Sequence, residues 1–241
     1  MFEDVYTSGR YLEQNPQWHV EESPWKAQQI LRMLQKNRLA PKTICEVGCG
    51  AGEVLKQLQE RMGPECEFWG YEVSPQAFAL CQARANARLH FRLAGISEAR
   101  AARCELLLVL DVLEHVEDYF GLLRAMQPIS PDAIFHIPLD LSVQTVLRPD
   151  GLLKRRRLHA HIHYFSKEIA LQLLRDVGYE VVDYFYTPRS IDLATEPVQR
   201  VLRPPRRLLF ALSPDWAARL LGGFSLLVLA RSPEPSGRHR A

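Results

Sequence analysis

The sequence predicts an α/β fold: a doubly wound, mostly parallel sheet of seven strands, with a leading cap helix and a helical lid before the last strand. Three observations predict it. Short apolar runs alternate with helical stretches from Thr43 onward. The first run leads directly into a glycine-rich loop, and polar residues follow further runs, where open α/β sheets bind ligands. With 241 residues, 47% of them hydrophobic, the chain suits one buried core.

Residues 1–42 are predicted to form the leading cap. Ser23 followed by Pro24 marks a helix start, because a side-chain N-cap before a proline in the first turn favours helix initiation. Several residues around that start either line the mouth of a ligand site or only pack the cap onto the sheet. They are Trp18, His19, Trp25 and Lys26.

The alternating pattern then places the strands and helices in order. The predicted strands are Thr43–Val47, Phe68–Glu72, Leu89–Leu93, Glu105–Leu110, Ala133–Pro138, Tyr179–Tyr186 and Ser225–Ala230. Helices are expected to begin near Gly52, Pro75, Ser97 and Asp118, and another spans Ser166–Val177. Residues 139–160 show no clear period.

The segment from Thr187 to Gly223 is too long for a hairpin loop. Its scattered apolar residues suggest short helices interrupted by Pro204 and Pro205, because proline breaks helical hydrogen bonding. We expect a substrate lid here (187–223), within a domain that spans residues 43–231. The polar tail, residues 232–241, is expected to be disordered.

Charge and cysteine usage narrow the class of protein. The formal net charge of +2 is too small to imply a nucleic-acid partner, which needs a concentrated basic face. The five cysteines are odd in number and lack CxxC spacing, so a reducing compartment is favoured. The first residues do not resemble a signal peptide, and no apolar stretch reaches the roughly 20 residues of a membrane span. A cytoplasmic protein is therefore expected.

The segment EVGCGAG, from Glu46 to Gly52, follows an apolar strand and precedes a helix. Its glycines allow a tight turn in which backbone N–H groups approach a ligand. Glu53 stands where a dinucleotide fingerprint requires its third glycine, which argues against a nicotinamide dehydrogenase. The carboxylate of Glu46 would repel a pyrophosphate but could hold the ammonium group of a cationic ligand.

Two further acidic residues end predicted strands. Glu72 lies twenty residues beyond Gly52, where an ionised carboxylate can accept hydrogen bonds from a ribose diol. Asp111 follows the fourth strand, at the ligand-binding edge of such a sheet, although it could simply cap the next helix.

In order, EVGCGAG, YEVSP, DVLEHVED and a strand ending in Ile137-Pro138 resemble class I S-adenosylmethionine-dependent methyltransferases, over roughly residues 43–140. The flanking segments YLEQNPQWHVEESPWKAQQI and HIHYFS resemble the stand-alone small-molecule subgroup, whose fold is Rossmann-like. The resemblance implies S-adenosylmethionine as the cofactor. The residues it implies for binding are Glu46, Gly48, Cys49, Gly50, Gly52, Glu72, Val73, Gly95, Ile96, Asp111, Val112 and Leu113.

Within that family an aspartate often stands at the adenine-binding turn, whereas this chain has Gly95. Recognition of the adenine amino group would then fall to the backbone or to another side chain. A non-catalytic binding module that serves a protein partner is one alternative that this departure keeps open.

The histidines offer candidate catalytic groups. His161 aligns with the histidine of the family's HxxYF pattern and is either a general base or a packing residue. His115 either faces the methyl donor or lies on a helix surface. His159, His161 and His163 would share one face of a strand, but no supporting carboxylate is evident in the sequence, so no metal is expected.

The predicted reaction is methyl transfer to a small-molecule acceptor, with protein groups that mainly align the reactants. Arginines in the variable segments could bind an anionic acceptor. The predicted substrate residues are Trp18, Trp25, Lys26, Arg155 and Arg157. A lipid acceptor is another alternative, with the apolar, arginine-rich lid lying against an anionic membrane. No motif specifies the acceptor or an oligomeric state.

Overall fold

A computed structural model of the protein describes residue 18 and residues 20–96, 103–194 and 197–233. One sheet runs through these ranges. Its strands are β1 (Thr43–Val47), β2 (Glu67–Glu72), β3 (Leu89–Leu93), β4 (Leu106–Leu110), β5 (Asp132–Pro138), β6 (Glu180–Thr187) and β7 (Ser225–Arg231). They lie in the order β3-β2-β1-β4-β5-β7-β6.

Helices flank this sheet throughout the described ranges, and a short 3₁₀ turn (Val20–Glu22) precedes the first of them. The α-helices are α1 (Ser23–Lys36), α2 (Glu53–Gln59), α3 (Pro75–Gln82), α4 (Tyr119–Met126), α5 (Val143–Val146), α6 (Gly151–His159), α7 (Lys167–Asp176), α8 (Arg189–Asp192), α9 (Pro197–Leu212) and α10 (Pro214–Leu221).

Strand direction decides where a ligand can bind. Strands β1 to β5 pair in parallel, whereas β7 is antiparallel to both β5 and β6. The carboxyl ends of the five parallel strands therefore share one edge. The order of connection reverses between β1 and β4, and at such a reversal the following loops separate and leave a crevice.

Both faces of the sheet are covered. Every residue of β4 is buried, as expected for a central parallel strand that has helices on both sides. Alternate side chains of β4 enter two cores: Leu107 packs in the same cluster as Phe135, and Leu108 in the same cluster as Ile30 of α1. Each such buried side chain contributes about 1.5–3 kcal/mol, so the central strands are rigid supports for the loops that follow them.

The predicted fold class is confirmed, and each predicted strand end lies within one residue of the observed end. The strand limits are predicted well because turn residues on both sides of a short, buried apolar run define where the strand begins and ends. The helix expected near Ser97 lies outside the described residues, as do His19, residues 1–17 and the tail beyond Pro233.

The predicted cap on the leading helix is wrong in one detail. Ser23 is the first residue of α1, and Glu22 occupies the N-cap position without a side-chain capping bond. The Glu22 carboxylate instead accepts a hydrogen bond from Nε of Arg189, at 2.7 Å. At the other end of the domain, Ser232 donates from its backbone N to the carbonyl oxygen of Pro131 at 2.8 Å, so the ordered chain extends past the predicted boundary at residue 231.

Residues 139–160 show no period in the sequence yet contain α5 and α6. Helix α6 has no buried residue, so it lacks the apolar stripe on which a sequence period depends. Its position is fixed instead by polar contacts, among them an ion pair at 3.4 Å between Nε of Arg155 and Oδ1 of Asp140.

Helix α9 continues through Pro204 and Pro205, so the predicted interruption there is wrong. The two prolines remove backbone donors, but the next residue anchors the helix. The guanidinium of Arg206 donates to Oγ of Ser190 at 3.0 Å and to the carbonyl oxygen of Gly222 at 3.1 Å. Helix α9 is thereby fixed to α8 and to the residues that follow α10, near the two ends of the lid. None of the helices in the described ranges is long and apolar enough to cross a membrane.

Candidate active site

A cleft of about 230 Å³ opens at the carboxyl edge of the sheet. The segments that follow β1, β4 and β5 line it, and α1 contributes another side. Most of the lining is polar or charged. The titratable residues include Glu22, Lys26, Glu46, Asp111, Glu114, His115, His136, Asp140, Arg155, His159, His161 and Arg189.

The glycine-rich loop after β1 forms one wall. φ is 72° at Gly48 and 55° at Gly50, a left-handed conformation that favours glycine. The N–H groups of Gly48 and Cys49 both donate to the carbonyl oxygen of Tyr71, at 2.9 and 3.2 Å, and so tie the loop to β2. A Cβ on Gly50 would lie 2.5 Å from Cδ1 of Trp18, so the indole ring lies directly over the loop. The loop backbone forms a concave surface, and side chains at Gly48 and Gly50 would occupy the space beside it.

Glu72 holds the glycine loop at the end of β2. Its carboxylate accepts hydrogen bonds from the backbone N of Gly50 at 2.7 Å, of Val73 at 2.9 Å and of Ser74 at 2.8 Å. Burial nevertheless raises the pKa of Glu72, against these three bonds. A carboxylate has about four lone-pair sites, so at least one remains for a ligand hydroxyl.

Glu46 is buried at the end of β1, behind the loop. Its Oε2 has no hydrogen-bond partner among the described residues. Burial raises the pKa of Glu46 to about 8, against the opposing effect of Lys26, and the nearby Glu72 and Asp111 add to the rise. A buried acceptor without a partner favours a donor from a ligand, and a cationic donor most of all.

A second polar group joins α1 to the ends of β4 and β5. Nζ of Lys26 lies 2.6 Å from Oδ2 of Asp111, and Oδ1 of Asp111 accepts from Nδ1 of His136 at 2.6 Å. Nε2 of His136 in turn lies 3.0 Å from Oγ1 of Thr187. Burial opposes the charge on Asp111, but His136 and Lys26 hold its pKa well below the usual range. Asp111 therefore does not cap a helix; Asp118 caps α4.

Three polar residues meet on the far wall of the cleft. Oδ2 of Asp140 lies 2.5 Å from Nδ1 of His161, and the His161 ring makes an edge contact with the His115 ring at 5.0 Å. Nδ1 of His115 lies 3.2 Å from the carbonyl oxygen of Ala160. Burial first, and then His161, lower the pKa of His115 to about 3. Burial acts to raise the pKa of Asp140, but His161 holds it below the usual range, so this carboxylate is ionised.

Not every residue predicted for the site lines the cleft. The cleft lining includes Trp18, Lys26, Glu46, Gly48, Cys49, Gly50, Asp111, His115, Arg155 and His161. Trp25 instead packs its indole behind the cleft, edge-on to His136, and donates from Nε1 to Oδ2 of Asp192 at 2.9 Å. Arg157 is exposed on α6.

Other predicted cofactor residues support the edge of the sheet. Val112 packs against Gly48, where a Cβ would lie 2.8 Å from its Cγ2, and Leu113 is buried in the core. Gly52 has φ of 74° and occupies the N-cap position of α2. Val73 is exposed just after Glu72. Gly95 and Ile96 follow β3, which pairs with β2 at Glu72.

Sequence reasoning missed several lining residues: Glu22, Glu114, His136, Asp140 and Arg189. His136 and Asp140 carry a usable signal, because His136 is the one polar side chain within the predicted strand Ala133–Pro138 and Asp140 follows the end of that strand by two residues. His159, His161 and His163 do not share a strand, because His159 ends α6 and His163 packs edge-on against Tyr119.

A family model described as a methyltransferase domain matches residues 18–184. No curated protein matches the chain. Among solved structures, magnesium protoporphyrin IX methyltransferase (ChlM) from Synechocystis PCC 6803, with bound SAH, is 13% identical, with a TM-score of 0.57 over 87% of this chain and 83% of that chain. N-methyltransferase NodS from Bradyrhizobium japonicum WM9, in complex with S-adenosyl-L-homocysteine, is 18% identical, with a TM-score of 0.55 over 87% and 86%.

A methyltransferase of Haloferax volcanii, solved in complex with the Trm112 methyltransferase activator, is 14% identical, with a TM-score of 0.66 over 99% of this chain and 100% of that chain. At such low identity these three likenesses establish the fold.

Replacing Glu46 by Gln is expected to remove part of the pH dependence of stability. The folded protein keeps the Glu46 proton up to about pH 8, whereas the unfolded chain releases it near 4.5. The neutral group's contribution is therefore fully present below 4.5 and is lost as the pH rises through about 8. Urea unfolding across this range measures the free energy of unfolding of wild type, Glu46→Gln and the exposed control Glu67→Gln. A difference between wild type and Glu46→Gln that does not change with pH contradicts the assigned pKa.

Proposed function

Because the chain belongs to the family of class I S-adenosylmethionine-dependent methyltransferases, we propose that its cleft binds S-adenosylmethionine and that the enzyme methylates a small-molecule acceptor there. The observation that carries the proposal is the buried carboxyl group of Glu46 behind the glycine loop, whose Oε2 has no hydrogen-bond partner among the described residues. It suits a cationic ligand without phosphates, and S-adenosylmethionine has both a sulfonium and an ammonium group. The glycine loop and the acidic end of β2 fit the same cofactor.

In the proposed binding mode, the glycine loop and Glu46 hold the methionine part of the cofactor. Glu72 accepts from the ribose hydroxyls while it keeps the loop in place, so one side chain both shapes and occupies the site. Val73 and the Gly95-Ile96 turn border the adenine, where this chain has no acidic side chain. Asp111, Val112 and Leu113 support the loop from β4.

The bound cofactor would supply an electrophilic methyl group on a sulfonium. The protein then needs to align the acceptor, exclude water and remove a proton where the acceptor carries one. Asp140, an ionised acceptor, fixes the proton of His161 on Nδ1 and leaves the electron pair on Nε2. We assign the acceptor end of the cleft to His161 and His115, with Asp140 as the positioning residue.

Cationic side chains in the lining of the cleft favour an anionic acceptor. Arg155 and Arg189 line the cleft together with Lys26, and Arg155 is half-exposed beside Asp140. A guanidinium binds a carboxylate or phosphate in a fixed geometry. The five cysteines all lie in the described ranges and form no disulfide, which supports a reducing compartment such as the cytoplasm. Measured turnover with any acceptor would exclude the non-catalytic alternative.

A membrane-borne acceptor is a second candidate, which the surface of the lid favours. Helix α9 exposes Val201, Leu208 and Leu212 at helical spacing, and Arg203 and Arg207 are also exposed. Apolar and cationic residues on one helix favour an anionic bilayer surface. We expect the protein to sediment with anionic vesicles at low salt and Leu208→Glu to sediment less. Equal recovery with and without vesicles contradicts this candidate and leaves a freely diffusing acceptor.

Replacing Glu72 by Gln is expected to weaken binding of S-adenosylmethionine and of S-adenosylhomocysteine at least about tenfold. Gln keeps an acceptor for the loop but loses the charge, and hydrogen bonds to charged groups contribute about 1.5–3 kcal/mol. Isothermal calorimetry measures both dissociation constants. Glu67→Gln, at the exposed start of the same strand, is the matched control.

Two outcomes of this experiment distinguish the assignment of Glu72 to the ribose from the assignment of the cofactor. Unchanged affinity in a folded Glu72→Gln variant contradicts the ribose assignment alone. Undetectable binding of either compound to folded wild type contradicts the cofactor assignment.

Replacing His161 by Gln is expected to lower kcat by about 10²–10⁴, the usual contribution of a positioned acid–base group, with cofactor affinity close to that of wild type. Release of S-adenosylhomocysteine is followed with a panel of hydroxyl, amine and carboxylate acceptors across pH. Asp140→Asn should shift the pH profile as well as lower kcat. His90→Gln is the control, because its ring stacks on Trp69 outside the cleft. A His161→Gln enzyme with the kcat and pH profile of wild type contradicts the assignment.

A further inference from the structure

The far wall of the cleft holds a carboxylate whose burial the proposed reaction does not explain. Glu114 is 1% exposed, and neither of its side-chain oxygens has a hydrogen-bond partner among the described residues. Two unpaired oxygens in a buried carboxyl group cost several kcal/mol. Native proteins keep such a group where it meets a ligand, and this one lines the cleft.

The neighbours of Glu114 are the two histidines of the acceptor end. A carboxylate oxygen of Glu114 and one ring nitrogen each from His115 and His161 all lie within 4.8 Å of one another. Oε1 of Glu114 is 3.7 Å from Nε2 of His115. The three side chains are thus close enough to approach one ion together.

The second contacts of both rings determine which nitrogen is available to an ion. Nδ1 of His115 contacts the carbonyl oxygen of Ala160, and Nδ1 of His161 contacts the ionised Asp140. A carbonyl and a carboxylate only accept hydrogen bonds, so each histidine donates from Nδ1, and in the neutral form of the ring the electron pair lies on Nε2. Metal-bound histidines are held in this way by an outer oxygen.

The backbone keeps the two segments in register. The N–H groups of Ile162 and His163 both donate to the carbonyl oxygen of Glu114, at 2.8 and 3.1 Å. The loop that carries His161 is therefore fastened to the residue whose carboxylate it faces. The three side chains come from two segments that the fold, and not the local sequence, brings together.

We propose that Glu114, His115 and His161 bind a divalent transition-metal ion at the acceptor end of the cleft, with Asp140 orienting His161. Two imidazoles and one carboxylate suit ions such as Co²⁺, Mn²⁺, Fe²⁺ or Zn²⁺, and three protein ligands leave open positions toward the cleft. The role of the ion in methyl transfer rests on the proposed function. The site itself revises the expectation from the sequence that no metal binds.

A bound ion changes how the acceptor loses its proton. An acceptor hydroxyl that coordinates the ion releases its proton to solvent, because the positive charge lowers the pKa of the oxygen. The oxygen electron pair then forms the bond to the methyl carbon, and the electrons of the broken carbon–sulfur bond stay on sulfur. No oxidant or reductant is needed. His161 then uses its electron pair to bind the ion and does not remove the proton from the acceptor.

Co²⁺ binding to the purified, chelator-treated chain tests the site without any acceptor. We expect one Co²⁺ per chain by equilibrium dialysis, with visible absorption bands of nitrogen and oxygen ligation. Glu114→Gln and His161→Gln should each raise the dissociation constant more than about tenfold, and Asp140→Asn by about 10–100-fold, as for outer partners of metal ligands. His90→Gln should bind as wild type does. Circular dichroism and thermal melting establish that each variant is folded.

The inference is overturned if wild type does not bind Co²⁺. It is also overturned if folded Glu114→Gln and His161→Gln variants bind Co²⁺ as tightly as wild type does, because the ion then binds elsewhere. Calorimetry with S-adenosylmethionine in a chelator, on the same wild-type preparation, keeps the two claims apart. Cofactor binding without Co²⁺ binding contradicts the metal site alone. Co²⁺ binding without cofactor binding contradicts the proposed function alone.

Discussion

The contact between the buried ammonium group of Lys26 and the carboxylates around it makes the acidic edge of this sheet compatible with a folded chain. Glu22, Glu46, Asp111 and Glu114 all converge near it. Burial alone lowers the pKa of Lys26, but Asp111 and Glu22 raise it above the usual value, so the charge persists. Each buried ion costs several kcal/mol of desolvation unless it is paired, and removing one member of a buried pair leaves the other uncompensated.

That contact also determines what covers the cleft. For Lys26 to reach Asp111, the start of α1 must lie beside the carboxyl end of β4. The helix is then secured by contacts with the last third of the chain, where Arg189 pairs with Glu22 and Lys36 pairs with Asp183 at 2.7 Å. The two ends of the domain therefore both line the cleft. A polar network that is satisfied in this way favours one arrangement of helix and sheet over its alternatives.

Whether a feature of the fold or of the candidate site can be predicted from the sequence depends on how far apart in the chain its interacting residues lie. The strands, the glycine loop and the positions of Glu46, Glu72 and Asp111 follow from local pattern, because a strand end and a tight turn are encoded by neighbouring residues. The pairing of Asp140 with His161, and the proximity of His161 to Glu114 and His115, depend on segments far apart in the chain. Helix α9 escapes prediction for a related reason, because Arg206 supports it through distant partners that outweigh the local effect of two prolines.

The position of β7 has a consequence for how the protein is made. This strand is the last in the sheet by sequence, yet it lies between β5 and β6 and pairs with both. Until Arg231 has left the ribosome, β5 and β6 each carry an unpaired edge, and neither can complete its core. A nascent chain can assemble β1 to β5 early, but its unpaired strand edges stay exposed to aggregation until the final strand inserts. A chain shortened before Ser225 would lack the strand that joins the two parts of the sheet.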